Sequence, residues 1–332
     1  MEKKKNYLTS WPCILAFALT ANFLWGSAFP GIKAGYALLS VSSSDTAAQL
    51  IFAGMRFTLA GFLLLFFLLA ASQAKLYPLC SPGASAESGK PESLRKTLLP
   101  GRRALVPVII LALFQTAVQY FFFYIGLAHT LGVRGSVIEG TSPFFAILIS
   151  SLIFRQEHLT PRKLTGILIG FSGIVLINAP ALLAASVSSG SPAGDIAIML
   201  STVSAAFSQV FMKEFSKRFD PVLLSAWQFV AGGLMLLMAG ILAGGHIGLF
   251  PPSAIWLLFY LAFVSAAAYS LWSLLLKYNP VSRVTSFSLL TPVFGVLLSL
   301  LILNEQPASP VLLLIALGLV CSGIFIVTRS HT

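Results

Sequence analysis

Three ionisable side chains interrupt long apolar stretches of this sequence, namely Lys33, Arg56 and Glu139. If these stretches cross a bilayer, each ionised group costs at least ~2.5–3.5 kcal/mol, so each is a candidate functional residue until a partner accounts for it. Buried charges of both signs can bind the carboxylate and the amine of a zwitterionic solute, and a carboxylate can also carry a coupling proton. Glu139 can equally form an ion pair with Lys33 or Arg56 that only neutralises these charges.

Two similar groups of hydroxyl and aromatic residues recur 149 residues apart. Ser265, Tyr269 and Trp272 share one helix face at spacings of i, i+4 and i+7. Their counterparts earlier in the chain are Thr116, Tyr120 and Phe123, with Gln115 and Gln119 beside them. Two such faces are typical of opposite walls of a small-molecule cavity. Aromatic packing between helices or against lipid is the alternative, and it also applies to Trp25 near Pro30.

Residues for metal or cofactor chemistry are scattered along the chain. The 4 histidines and 3 cysteines do not cluster, so we predict neither a metal site nor a cofactor. The rival function is a membrane-embedded enzyme that modifies lipids or prenyl groups. Such an enzyme usually needs clustered carboxylates or histidines, whereas the 10 acidic residues here are dispersed.

The composition excludes an ordinary soluble protein. Hydrophobic residues make up 57% of the 332 residues and charged residues only 9%, against about 45–50% and about 25% in soluble proteins. So few charges cannot cover the surface of a soluble globule, and the high hydrophobicity excludes disorder. The sequence therefore predicts an integral membrane protein in a lipid bilayer.

Ten apolar stretches are long enough to cross a bilayer as helices, which takes roughly 20 residues each. The predicted spans are 12–39, 46–71, 104–127, 133–154, 164–178, 194–212, 222–243, 253–276, 281–303 and 311–328. Residues 72–103, rich in Ser, Pro, Gly and Lys, predict a flexible cytoplasmic loop. Small residues in the fifth and tenth spans predict close helix packing. These are Gly166, Gly170, Gly173, Gly318 and Gly323.

The basic residues predict the orientation of the chain. With ten spans, 18 of the 21 Lys and Arg residues fall on the side of the N-terminus, and only Arg134 falls in an opposite connection. Because basic residues favour the cytoplasmic side, we predict cytoplasmic termini in the plasma (inner) membrane. The net charge of +11 then needs no nucleic-acid partner. Glu157 and Glu305 precede helix starts, where a carboxylate interacts favourably with the helix N-terminus.

An internal repeat divides the chain into five-span halves at 1–180 and 190–330. Residues 120–147 align with 269–296 without a gap, which places Glu139 opposite Ser288. Other offsets place Arg56 over Gln228 and Lys33 over Lys213. An odd number of spans inverts the second half, as in many transporters that hold substrate between their halves. A duplication retained only for packing is the alternative.

Several landmarks together resemble the EamA family of the drug/metabolite transporter superfamily. They are residues 22–33 (NFLWGSAFPGIK), Arg56-Phe57, Thr141-Ser-Pro143 with Glu157, and Thr291-Pro292 with Glu305. The resemblance covers residues 11–328. It implies ten helices in two inverted five-helix repeats, a central cavity built mainly from the first four helices of each half, and export, less often import, of small metabolites such as amino acids.

These observations predict an all-α integral membrane protein that is not an enzyme. We expect a secondary active or facilitative transporter that exports a small polar or zwitterionic solute by alternating access. Its predicted cavity residues are Trp25, Arg56, Gln119, Glu139, Gln228, Tyr269 and Trp272. Arg56 would face a substrate carboxylate, and Glu139 an amine, a coupling proton or Lys33. The sequence makes no prediction of oligomeric state.

Overall fold

The computed structural model describes residues 7–42, 44–73, 101–129, 138–184, 192–248, 251–303 and 310–329. The predictions for Arg134, for Glu305 and for most of the 72–103 loop lie outside these residues. The side chain of Lys33 also lies outside them, and so does its predicted pairing with Glu139.

Helices account for the regular structure of the described residues, among which there is no strand. Apart from the short 3-10 helices Tyr7–Thr9 and Arg102–Ala104, the described residues form ten helical segments, three of which continue through 3-10 or π turns. These are α1 (Trp11–Leu38), α2 (Thr46–Gln73), α3 (Leu105–Leu111, Ala112–Val118 and Gln119–His129), α4 (Ser142–Leu148 and Ile149–Ile153), α5 (Pro161–Ala184), α6 (Pro192–Phe215), α7 (Pro221–Leu242), α8 (Pro252–Tyr278), α9 (Val281–Thr285, Ser286–Leu289 and Leu290–Leu303) and α10 (Pro310–Arg329).

Six of the described helices are long and apolar enough to cross a membrane, namely α1, α2, α3, α6, α7 and α8. Segments of α4 and α10 form shorter apolar helices. The predicted all-α membrane protein is confirmed at this level. The fifth apolar stretch is longer than predicted, because Pro161–Ala184 forms a helix of 24 residues around the expected 164–178. Its first turn includes Lys163, which lies outside the apolar run and whose charge is paired with Glu157.

Proline is the first residue of α5, α6, α7, α8 and α10. Proline suits this position because its fixed φ angle fits a helix and its missing N–H would have no partner within the helix. Asp220 additionally caps α7, since its Oδ1 accepts hydrogen bonds from the backbone N–H groups of Val222 at 2.9 Å and Leu223 at 2.8 Å. These local signals separate the closely spaced helices.

Helices α2 and α7 pack along each other through glycines. Gly54 and Gly61 of α2 and Gly233 and Gly240 of α7 all face the neighbouring backbone. A Cβ on Gly233 would lie 2.5 Å from the backbone nitrogen of Thr58 and 2.9 Å from the carbonyl oxygen of Gly54. Only glycine allows two helices to approach this closely.

Helices α5 and α10 make a second glycine contact. A Cβ on Gly166 would lie 2.9 Å from the carbonyl oxygen of Gly323, and Gly170 and Gly173 also face α9 or α10. Gly318 differs, because nothing lies within 4 Å of the position its Cβ would take. The predicted packing role is therefore wrong for Gly318, which faces open space.

Four further pairings surround the centre of the bundle. Helix α1 packs against α8 and α9, while α6 packs against α3 and α4. Their apolar faces bury two large clusters of side chains. The helices in these two groups also supply most of the wall of a central cavity.

Candidate functional site

The central cavity has a volume of about 150 Å³ and collects most of the predicted site residues. Six of the seven predicted residues line it, namely Trp25, Arg56, Gln119, Glu139, Tyr269 and Trp272. They come from α1, α2, α3, the residues before α4, and α8. The cavity thus brings together side chains that are more than 200 positions apart in the sequence.

Arg56 is buried, with 2% of its surface exposed, near the middle of α2. Its Nε donates to the hydroxyl of Ser265 at 2.9 Å and to the carbonyl oxygen of Leu261 at 3.3 Å. The ring of Phe57 lies 5.1 Å from its guanidinium carbon. No acidic residue of the described ranges forms an ion pair with Arg56. These contacts orient the guanidinium but leave its charge without a counterion in that part of the chain.

Glu139 lines the same cavity just before α4 begins. Neither an ion pair nor a hydrogen bond links its carboxylate to Arg56, although both residues are among those described. The predicted alternative in which these two charges neutralise each other is therefore wrong in this conformation. A cavity with a basic and an acidic side chain that do not bind each other can bind a solute that carries both an acidic and a basic group.

Three aromatic residues form one wall of the cavity. The ring of Trp25 meets those of Tyr269 and Trp272 nearly edge-on, with centroids 5.1 Å and 5.0 Å apart. The hydroxyls of Tyr269 and Tyr120 are 3.1 Å apart, and Trp272 Nε1 donates to Gln209 Oε1 at 3.3 Å. Edge-to-face packing and these hydrogen bonds fix the rings in place.

Gln228 does not belong to this cavity wall. It is fully buried in α7, and its Oε1 accepts a hydrogen bond of 2.7 Å from the hydroxyl of Thr116. Thr116 lies at the contact of α3 with α7, because a Cβ on Gly232 of α7 would be 2.5 Å from Thr116 Cβ. The structure therefore places this predicted site residue in the helix contact behind the cavity.

A polar wall that the sequence reasoning missed comes from α6. It consists of Ser201, Thr202, Ser208 and Gln209. These residues recur at helical spacing on one face of an apolar helix, which is a pattern that could have revealed them. Helix α6 also contacts the π-helical part of α3, Ala112–Val118. Ser204 Oγ of α6 donates there to the carbonyl oxygen of Phe114 at 2.6 Å. π-Helical turns are frequent at functional sites.

A second polar cluster lies at the end of the bundle where α4 meets α5. Glu157 Oε2 accepts from Lys163 Nζ at 2.7 Å, and its Oε1 accepts from the backbone N–H of Ser282 at 2.9 Å. The Ser282 hydroxyl also donates to Oε2, and Ser150 Oγ donates to Oε1 at 2.9 Å. The sequence predicted an interaction of Glu157 with α5 only. In the structure Glu157 also binds the start of α9.

The charge state of Glu157 follows from these contacts. Burial alone would raise the pKa of its carboxyl, but the hydrogen bonds from Lys163 and Ser282 outweigh burial and hold the pKa below its ordinary value. Glu157 is therefore a carboxylate at neutral pH. Within the described residues, no group of three or more His, Cys, Asp and Glu could hold a metal ion.

Similarity to known transporters extends over most of the chain. The model of the EamA-like transporter family matches residues 12–179 and 192–329. An uncharacterized transporter of Archaeoglobus fulgidus is 28% identical over 323 residues, which are 96% of this chain and 99% of that protein. The uncharacterized inner membrane transporter YedA of Escherichia coli is 28% identical over 311 residues, covering 92% of this chain and 87% of YedA.

A solved structure has a similar fold. It is a crystal structure of a protein that is 20% identical in sequence, and it superposes with a TM-score of 0.68 over 97% of this chain and 99% of that chain. At this level of identity the similarity concerns the fold alone.

Proposed function

Because the chain belongs to the EamA-like transporter family and is a multi-pass membrane protein, we propose that it carries a small zwitterionic metabolite across the plasma membrane. The solute class is an amino acid or a similarly polar molecule, and the expected direction is export. The cavity is exposed alternately to the two sides of the membrane, as in other transporters with substrate sites near the bilayer midplane.

The proposed architecture is ten membrane-spanning helices in two inverted five-helix repeats, 1–180 and 190–330. Two separate matches to the family model, one in each half, support it. The site contacts support it as well, because the hydrogen bond from Arg56 to Ser265 has a counterpart in the one between Gln228 and Thr116. The aligned sequence pairs Arg56 with Gln228 and Ser265 with Thr116.

The proposed orientation places both termini in the cytoplasm, which agrees with the excess of basic residues on that side. Glu157, between α4 and α5, then lies at the cytoplasmic end of the bundle. Glu139, before α4, lies toward the opposite end. The 18 basic residues on one side are the observation that supports this assignment.

The observation that carries the proposed substrate class is the presence of Arg56 and Glu139 in one cavity without an ion pair between them. Arg56 would bind the substrate carboxylate, because a guanidinium offers several N–H donors to the two oxygens of a carboxylate. Glu139 would bind the ammonium group or carry a coupling proton. The aromatic wall formed by Trp25, Tyr269 and Trp272 would contact the apolar part of the solute.

Transport by purified protein in proteoliposomes tests the substrate class. We expect a neutral amino acid such as alanine to exchange across the membrane, while ethylamine and propionate, which each lack one of its charged groups, exchange at least tenfold more slowly. The physical reason is that each lost charge leaves Arg56 or Glu139 unpaired. Equal transport of all three compounds, or transport of none of a panel of amino acids, would contradict the proposal.

Replacing Glu139 by glutamine should lower the rate of amino acid transport at least tenfold and remove the part of its pH dependence that reflects titration of this carboxyl. Glutamine keeps the size of the side chain but cannot hold a negative charge or accept a proton at neutral pH. Proteoliposome uptake measured from pH 5 to pH 8 provides the comparison. Glu214→Gln is the control, because Glu214 pairs with Lys217 outside the cavity. A normal rate with unchanged pH dependence in Glu139→Gln would remove Glu139 from the mechanism.

A further inference from the structure

The Glu157 cluster joins parts of the chain that the repeat assigns to different halves. Glu157 lies between α4 and α5, whereas Ser282 lies in the first turn of α9. Both the backbone N–H and the hydroxyl of Ser282 donate to the Glu157 carboxylate. The two halves are therefore connected here by direct, charge-assisted hydrogen bonds, which are roughly twice as strong as neutral ones.

Lys163, which belongs to the first half, forms an ion pair with the Glu157 carboxylate. Only 3% of the Lys163 side chain and 7% of the Glu157 side chain are exposed, and Lys163 Nζ also donates to the carbonyl oxygen of His158 at 2.7 Å. By contrast, the nearby pair of Lys217 and Glu214 has side chains that are 52% and 43% exposed. A buried pair is little screened by water, so Glu157 stays charged and fixed to α5.

Other hydrogen bonds at the same end also cross between the halves. Gln156 Nε2 donates to Glu214 Oε2 of α6 at 3.2 Å. Asn279, just after α8, donates from Nδ2 to the carbonyl oxygen of Leu8 at 3.1 Å. The cluster at Glu157 differs from these two contacts within the described residues, because its ion pair is buried, whereas the pair of Glu214 with Lys217 is exposed and Asn279 is uncharged.

Helix α9 connects this cluster to the cavity. The start of α9 is held by Glu157, and one to three turns further along the same helix Ser288, Thr291 and Pro292 line the cavity. The hydroxyl of Thr291 donates to Asn22 Oδ1 of α1 at 2.6 Å. A displacement of the start of α9 would therefore change the cavity wall directly.

We propose that Glu157, positioned by Lys163, is a latch that keeps the cytoplasmic end of the cavity closed by holding Ser282 at the start of α9. This inference rests on the proposed alternating access. Opening exchanges the two Ser282 hydrogen bonds for water, while the ion pair with Lys163 remains. The carboxylate is thus never left buried without a partner, and the latch can open and close without a large electrostatic cost.

Sided labelling of a cysteine in the cavity tests the latch without a known substrate. Cys13, Cys80 and Cys321 are replaced by serine, and Gln209→Cys, near the end of α6, serves as the reporter. A membrane-impermeant maleimide is applied from the cytoplasmic side in inside-out vesicles and from the outer side in whole cells. We expect Glu157→Gln to raise the cytoplasmic labelling rate about tenfold and to lower the outer rate, because it shifts the population toward the cytoplasm-open state.

Two further variants separate a latch from a general loss of structure. Ser282→Ala removes only the hydroxyl contact and changes no charge, so it should raise the cytoplasmic rate by about threefold even if Glu157→Gln does not fold. Lys217→Gln removes a lysine from the exposed pair on the same side of the membrane and should change neither rate. A loosened fold would raise the labelling rates on both sides, whereas loss of the latch should raise the cytoplasmic rate and lower the outer rate.

The outcomes distinguish the latch from the proposed function. Labelling that differs between the two sides in the parent protein but does not change in Glu157→Gln and Ser282→Ala would overturn the latch alone. A rise on both sides in these variants would also overturn it, because it would indicate a purely structural role. Equal labelling from both sides in the parent protein would contradict alternating access itself.

Discussion

Replacing Arg56 by glutamine should raise the substrate concentration for half-maximal transport by roughly ten- to a hundredfold. A hydrogen bond to a charged group contributes about 1.5–3 kcal/mol, and each 1.4 kcal/mol is about a factor of ten. Arg56 lines the cavity and has no ion pair within the described residues, so its charge is available to a carboxylate. The measurement is the concentration dependence of amino acid uptake into proteoliposomes.

The fold should tolerate this substitution. Gln228 occupies the aligned position in α7 and binds the hydroxyl of Thr116, so a glutamine at position 56 can bind the hydroxyl of Ser265 in the same way. Arg56→Lys keeps the charge but loses the planar donor group, and it should have an intermediate effect. Arg218→Gln, which removes an exposed arginine between α6 and α7, is the control for the loss of charge. Unaltered substrate affinity in Arg56→Gln would show that the carboxylate role is wrong.

Replacing Gly233 by valine should destabilise the protein more than any other single change considered above. The first added carbon alone would lie 2.5 Å from the backbone nitrogen of Thr58 and 2.9 Å from the carbonyl oxygen of Gly54. Both are backbone atoms of α2, so no side-chain rotation can relieve the clash, and α2 and α7 must separate. Overpacking of this kind typically costs about 1–3 kcal/mol or more. Thermal unfolding in detergent, monitored by size-exclusion chromatography, should show a lower unfolding temperature than that of the parent protein, or no folded protein at all.

Gly318→Val is the matched control for this prediction. Gly318 lies in the apolar helix α10 with nothing within 4 Å of its Cβ position, so the same substitution should leave the unfolding midpoint nearly unchanged. Gly233→Ala should have a smaller effect than Gly233→Val but in the same direction. Equal midpoints for Gly233→Val and Gly318→Val would mean that the close approach of α2 and α7 contributes little to stability.

The sequence predicts the helical membrane fold because long apolar runs can satisfy their backbone hydrogen bonds in a bilayer only as helices. Arg56 and Glu139 could be identified as candidates for a related reason, since an ionised residue stands out against an apolar run. Whether they bind each other could not be predicted, because it depends on how α2 and α4 are arranged. The structure shows the two residues in one cavity without an ion pair between them.

Contacts between distant helices explain the predictions that differ from the structure. Gln228 and Arg56 are paired by the internal repeat, but Gln228 does not line the cavity and its Oε1 accepts a hydrogen bond from the Thr116 hydroxyl of α3. Glu157 was expected to interact with the helix that follows it, whereas it also binds Ser282, 125 positions later in the chain. Local sequence contains no information about such partners.

The hydrogen bonds of Arg56 with Ser265 and of Gln228 with Thr116 have a consequence for how this cavity can evolve. A hydroxyl can accept from a guanidinium or donate to an amide oxygen, so the same neighbour satisfies either side chain. Glutamine and arginine codons can differ by a single base. The charge at position 56 can therefore be lost in one mutational step without a compensating change in α8, so the charge of the cavity can change while the surrounding helices stay the same.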